Sequence, residues 1–263
     1  MNREEKINSI REKLRNTKPS IGSWMQIPSP DIAEILSHSN YDWIAVDLEH
    51  GSFALNDLPN IFRAIESSGS TLALARLSHL SAYSCKSALD AGAGGVIVPK
   101  VESKADLDKI KEFSCWPPSG SRGVGFSRAN LFGKKFTEYK AEAQSPLLVA
   151  MIESVNGVKN LDQILSSDCL DAIFIGPYDL SASMGITGEF NNKLFMDVIL
   201  EIENKCLQHK KANGIHIVEN NPSILQNRID QGYQFIAYSI DGIFLNSSAN
   251  NPQSENNNVT RLK

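Results

Sequence analysis

The chain has no long apolar run, no clustered cysteines and no excess of positive charge. Each absence removes a class of function. No stretch approaches the roughly 20 apolar residues that a membrane-spanning helix needs. With 26 Lys and Arg against 30 Asp and Glu, the net charge is −4, which argues against nucleic acid or an anionic membrane as partner. Cys85, Cys115, Cys169 and Cys206 are scattered, and no Cys-x-x-Cys pair suggests zinc or thiol redox chemistry. Idle thiols in a reducing cytosol are the expectation, and with them a cytoplasmic location. Residues 1–16 form a charged amphipathic segment, unlike the apolar core of a secretory signal. No Gly-x-Gly-x-x-Gly follows the first apolar run, so a dinucleotide-binding half is not expected.

What is present is a regular alternation. Short apolar runs at 21–26, 43–48, 72–77, 95–101, 147–153, 172–176, 214–218 and 235–240 read as strands. Amphipathic stretches between them, at 30–39, 55–67, 82–91, 104–113, 155–165, 192–212 and 222–231, read as helices. Parallel strands need crossovers, so eight strands with helical connections predict an α/β fold with a parallel sheet. A single (β/α)8 TIM barrel of about 250 residues fits the 263-residue chain. We assign residues 1–245 to the barrel and its N-terminal helix. Residues 246–263 are Asn- and Ser-rich, and a disordered polar tail is expected there, leaving the last unit a short or missing helix. Residues 115–136 are too long for an ordinary connection and read as a functional loop.

Chemistry-capable residues gather at strand ends. The run Trp43-Ile44-Ala45-Val46-Asp47-Leu48-Glu49-His50-Gly51 is a buried strand that ends in charge. The third strand ends at Arg76, the fifth at Met151-Ile152-Glu153, and the sixth runs into Gly176-Pro177-Tyr178-Asp179. In a barrel these fall on one rim, where catalytic residues are built. Glu153 and Asp179, on adjacent strands, suit a hard divalent cation completed by water and a chelating substrate. Arg76 can hold a carboxylate or enolate oxygen. His50 can act as a base near neutral pH, with Asp47 fixing its tautomer. The turns at Gly176-Pro177 and Gly123–Gly125 can turn backbone N–H groups to an anion. Plainer readings stand beside these. Glu153 and Asp179 can be helix-cap acids, Arg76 a structural ion pair and His50 a turn residue. His38, His79, His209 and His216 read as surface or core histidines.

Several segments together resemble the HpcH/HpaI aldolase family, the metal-dependent 2-keto-3-deoxy acid aldolases. They are Gly22-Ser23-Trp24, Asp42-Trp43 with Asp47-Leu48-Glu49-His50-Gly51, Leu89-Asp90-Ala91-Gly92-Ala93, Val96-Ile97-Val98-Pro99, residues 117–125, Ile152-Glu153-Ser154 and residues 173–181. The resemblance spans roughly residues 18 to 245. It implies a TIM barrel, a divalent cation (Mg2+ or Mn2+, with Co2+ as another option), and reversible cleavage to pyruvate, or a related 2-keto acid, plus an aldehyde. Metal ligands then fall at Glu153 and Asp179, the base at His50 oriented by Asp47, and the oxyanion-binding arginine at Arg76. Substrate contacts fall at Trp24, Met151, Gly176, Pro177 and Tyr178. Partners are small molecules, with no nucleic acid or membrane. The expected assembly is a homo-oligomer, dimer to hexamer, formed in this family by exchange of the last barrel helix.

The chain departs from that pattern at Met151, where the family usually has glutamine, and in its polar tail, which argues against helix exchange. A thioether cannot donate a hydrogen bond to substrate. Rival readings are a malyl- or citryl-CoA-type lyase, an impaired member acting as a binding protein, and a lysine-imine aldolase using Lys100, the one lysine near the rim.

Overall fold

The computed structural model describes residues 1–251. Among them eight parallel strands close into a barrel in the order of the sequence. They are β1 Ser20–Met25, β2 Trp43–Asp47, β3 Leu72–Arg76, β4 Gly95–Val98, β5 Leu147–Ile152, β6 Ala172–Ile175, β7 Gly214–Ile217 and β8 Phe235–Ile240. Each expected strand is present within three residues of its predicted ends. The helices are α1 Arg3–Arg15, α2 Pro30–Ser37, α3 Leu58–Glu66, α4 Ala82–Ala91, α5 Lys104–Ser114, α6 Phe136–Gln144, α7 Val155–Lys159, α8 Leu161–Leu165, α9 Pro177–Ser183, α10 Lys193–His209, α11 Pro222–Asp230 and α12 Asp241–Ser248.

Local chemistry starts these helices where the strands release the chain. Ser29, Ser81, Ser103, Ser154, Asn192 and Asn221 each accept a first-turn backbone N–H at the N-caps of α2, α4, α5, α7, α10 and α11. The stretch expected as one helix over 155–165 is two, because Asn160 interrupts it and donates to the Glu102 carbonyl at 2.8 Å.

Two hydrophobic layers hold the barrel. The outer one packs the helices on outward strand residues such as Ile44, Val46, Ile173 and Ile175. The inner one fills the barrel with Trp43, Ala45, Leu72, Leu74, Leu147, Val149, Met151, Phe174 and Phe235. Trp43 and Phe235 stack at 4.2 Å, and Gly22 makes room, since a Cβ there would stand 2.1 Å from the Trp43 ring. Ile7, Ile10 and Leu14 of α1 close the bottom, where Lys6 donates to the Thr71 carbonyl at 2.9 Å. Inward residues alternate along every strand. The same parity therefore carries Asp47, Arg76 and Glu153 onto the inner face one step above this core.

Two expectations change. Residues 115–136 do not reach the barrel mouth. Buried Arg122 donates to Tyr139 Oη at 3.0 Å beside the Trp116 ring, and Arg128 donates to the Ala91 carbonyl at 2.9 Å, so the loop is pinned to the outside of α4. Gly123–Gly125 accordingly do not line the central cavity. The last unit has the short helix allowed for it, α12, and the change is that this helix takes in Asn246 to Ser248 of the expected tail. The remainder of that tail from residue 252 lies outside the described residues.

Candidate active site

A cavity of about 850 Å³ opens at the carboxyl ends of the strands. Trp24, Asp47, His50, Arg76, Met151, Glu153, Gly176, Pro177, Tyr178 and Asp179 all line it, so the structure brings every predicted site residue together. They do not all play the parts expected of them.

Asp47 is the hub of one half. Its Oδ2 accepts from Trp24 Nε1 at 3.0 Å and Gln26 Nε2 at 3.1 Å; its Oδ1 accepts from Arg76 Nη1 at 3.1 Å. Burial alone would push its pKa up, but Arg76 and the Trp24 and Gln26 donors outweigh burial and hold it below the ordinary carboxylate value. Oδ1 also accepts the backbone N–H groups of Glu49 at 3.0 Å and His50 at 3.1 Å. Asp47 therefore shapes the turn that carries His50 and does not orient its ring, as the sequence reading had it. The exposed His50 ring has no hydrogen-bond partner among the described residues.

Arg76 is buried, and register places it beside Asp47. Its second amino group pairs with Glu49 Oε2. The structural reading of Arg76 as an ion pair is met, and this clamp leaves its Nε–H buried without a partner. Glu49, to which the sequence alone assigns no role, thus helps to hold Arg76.

Glu153 heads the other half. Register pairs Ile152 with Ile175, which sets Glu153 against Gly176 and near Asp179 in the first turn of α9. Glu153 Oε1 accepts the Lys100 backbone N–H at 2.8 Å, while Oε2 is buried with no partner. Burial drives the Glu153 pKa up to about 7, and Asp179 and Glu49 add to the rise against the pull of Lys100 N–H and Arg76. It is not a cap, since Ser154 takes that place on α7. Lys100 contributes its backbone only. Its side chain is exposed outside the cavity, which removes the lysine-imine alternative.

An orphaned carboxylate oxygen, a second acid near it and a raised pKa fit a site that would hold a cation. The donors are hard oxygens with no thiol or imidazole among them, so the residues fit Mg2+ or Mn2+ better than zinc. No three His, Cys, Asp or Glu side chains converge among the described residues, so two protein ligands with substrate and water completing the shell is the matching arrangement.

The wall formed by β5, β6, β7 and β1 is less polar. Met151 is buried in register with Phe174, and Trp24 stacks on Phe174 at 5.6 Å. His216 of β7 belongs here too, against Trp24 at 4.9 Å. Its alternation with Ile215 and Ile217 marks it as inward, a core histidine that also lines the cavity. The other three fit the surface-or-core reading: His38 and His79 are exposed, and His209 pairs with Asp162 at 3.1 Å.

Hard oxygen donors beside a clamped arginine, at the carboxyl rim of a closed barrel, are the equipment of a metal-assisted carbon–carbon lyase. The chain belongs to the HpcH/HpaI aldolase/citrate lyase family, whose model matches residues 20–247. It is an enzyme of the metal-dependent aldolase class. It is 33% identical over 238 residues to the 4-hydroxy-2-oxovalerate aldolase of Novosphingobium aromaticivorans, covering 89% of each chain. It is 33% identical over 239 residues to the hydroxypyruvate/pyruvate aldolase of Roseobacter denitrificans, covering 89% of this chain and 91% of that one. A crystal structure of an HpcH/HpaI aldolase/citrate lyase family protein from Burkholderia cenocepacia J2315 superposes with a TM-score of 0.86. It is 28% identical and covers 92% of this chain and 96% of its own.

Proposed function

We propose that the enzyme reversibly cleaves a 4-hydroxy-2-keto acid to pyruvate, or a related 2-keto acid, and an aldehyde, using Mg2+ or Mn2+ held by Glu153 and Asp179. The observation that carries this reading is the unpartnered Glu153 Oε2 beside Asp179. When bound, the cation supplies Lewis acidity toward the carboxylate and keto oxygens of the substrate. The reading includes a small-molecule partner, a cytoplasmic location and a homo-oligomeric assembly.

The chain's own groups do the rest. Arg76, held by Asp47 and Glu49, offers its free Nε–H where negative charge develops on the keto oxygen as the carbon–carbon bond breaks. His50 takes the proton of the C4 hydroxyl during cleavage and returns it during condensation. The backbone N–H groups of Tyr178 and Asp179 precede the first intrahelical bond of α9, Leu180 N–H to Gly176 O, and receive the substrate carboxylate. Met151, Phe174 and Trp24 keep water from the enolate carbon. A CoA-thioester lyase is less well served. Arg76 and Arg228 are the cavity's lysine or arginine lining, against Asp197, Glu203 and Glu219 beyond the catalytic acids.

Two measurements test the reading: pyruvate release from a 4-hydroxy-2-keto acid with Mg2+ or Mn2+, and deuterium exchange into the pyruvate methyl group. Release and exchange that stop when the cation is chelated are the expected result. A protein that does neither with either cation overturns it.

A further inference from the structure

We propose that His216 selects the aldehyde, its Nδ1 accepting a hydrogen bond from a hydroxyl group on a neutral hydroxyaldehyde; the proposal rests on the aldolase reading above. His216 Nε2 lies 3.2 Å from the Ser239 carbonyl, which can only accept, so Nε2 carries the proton. Nδ1 then keeps its lone pair, and it has no partner among the described residues. The arrangement is fixed from behind. Ser239 sits in the left-handed region at φ +56, at an irregularity in the pairing of β8 with β1, and its hydroxyl donates to Val218 O at 3.2 Å. The ring is held between Trp24 and Phe174, with centroids at 4.9 and 6.4 Å.

Place in the barrel gives the lone pair its role. In a ring of eight strands β7 stands opposite β3, so His216 and Arg76 flank the mouth from opposite sides. Arg76, Glu153 and Asp179 serve the keto acid, and Trp24 and Gln26 are committed to Asp47. Near the mouth, the β7 to β1 wall otherwise offers Val218 and Ile240, with Glu219 following Val218. An acceptor in such a wall favours a ligand that brings a donor, because an unpaired buried polar group is unfavourable. The same lone pair repels a carboxylate. Burial, which pushes the His216 pKa down to about 4, keeps the ring neutral near neutral pH. The substrate class that follows is an uncharged aldehyde bearing a hydroxyl, in preference to its deoxy analogue or an acid aldehyde.

The test uses the full chain with Mg2+ and pyruvate, and compares kcat/KM for glycolaldehyde against acetaldehyde, lactaldehyde against propionaldehyde, and glyoxylate as the anion. The parent is expected to favour each hydroxyaldehyde by about tenfold, the size of one net hydrogen bond, and to use glyoxylate poorly. In His216→Leu the hydroxy-to-deoxy ratio should fall toward one, and His216→Asn, which keeps an acceptor, should recover part of it. Nitrogen-15 NMR of the unaltered protein reads the tautomer without any turnover and should find the proton on Nε2. A parent ratio near one, an unchanged ratio in His216→Leu, or a proton on Nδ1 overturns the assignment. Exchange at the pyruvate methyl needs no aldehyde and separates the two claims: exchange without hydroxyl preference overturns the role of His216, and neither exchange nor condensation overturns the proposed function with it.

Discussion

A Cβ at position 176 would stand 2.5 Å from Glu153 Oε2, so Gly176 is what lets that carboxylate lie where it does. The glycine is not required by its backbone, since its φ is −97. Gly176→Ala should therefore fold, as judged by circular dichroism, yet displace Glu153. Displacing a group that supports a metal ligand typically weakens affinity by about 10–100-fold. Calorimetric titration with Mn2+ checks this, and an affinity equal to the parent's would refute it.

Glu153 also predicts a pH dependence in the metal-free protein. Its pKa rises from 4.5 to about 7 on folding, so between those values the folded chain keeps a proton that the unfolded chain has lost. The stability tied to this group is full below about pH 4.5 and is lost as pH climbs through about 7. With metal chelated, Glu153→Gln should melt above the parent at about pH 8, and the two should converge near pH 4. A constant difference across that range would count against a buried, proton-holding Glu153.

Arg76 should be intolerant even of conservative change. Losing one preorganised charge typically costs on the order of 10²–10³ in kcat, and Arg76→Lys should fall in that range, because a compact ammonium cannot reproduce the planar fork that spans Asp47 and Glu49 and fixes the direction of the remaining N–H. Glu49→Gln keeps the size but loses the ion pair, and should reduce kcat by a smaller factor than Arg76→Lys. Steady-state kinetics on both variants decides the order.

Met151 packs beside Phe174 on the less polar wall of the cavity. Met151→Gln puts a donor and an acceptor there. It should shift kcat/KM ratios toward hydroxylated aldehydes by up to about tenfold. Identical ratios for polar and apolar aldehydes in parent and variant would show that Met151 only fills space.

Alternation made most of the fold legible. Each apolar run became a strand, and the parity that buries Trp43 and Ala45 also aims Asp47 inward. The site was legible where a charged residue ends such a run, as at Arg76 and Glu153. What sequence could not supply is who touches whom. The bond of Asp47 to the backbone rather than the ring of His50, the ion pair of Glu49 with Arg76, and the clamp on Arg122 that pulls residues 115–136 away from the mouth are all contacts across the chain. The place of His216 was likewise hidden: a lone histidine among isoleucines reads as packing, and only the fold sets it against Trp24, Phe174 and the cavity. A homo-oligomeric assembly remains part of the proposed function.

The central claim is that Glu153 and Asp179 hold the cation and that His50 moves the proton. The most direct measurement is pyruvate release from a 4-hydroxy-2-keto acid, with deuterium exchange into pyruvate followed in parallel, in the parent, in Glu153→Gln with Asp179→Asn, and in His50→Ala. The account predicts that the double variant loses Mn2+ binding by calorimetry together with both activities. It predicts that His50→Ala binds Mn2+ and pyruvate but loses cleavage far more than exchange. Metal affinity and cleavage at parental levels in the double variant, or equal cleavage by His50→Ala and parent from about pH 6 to about pH 9, would contradict it.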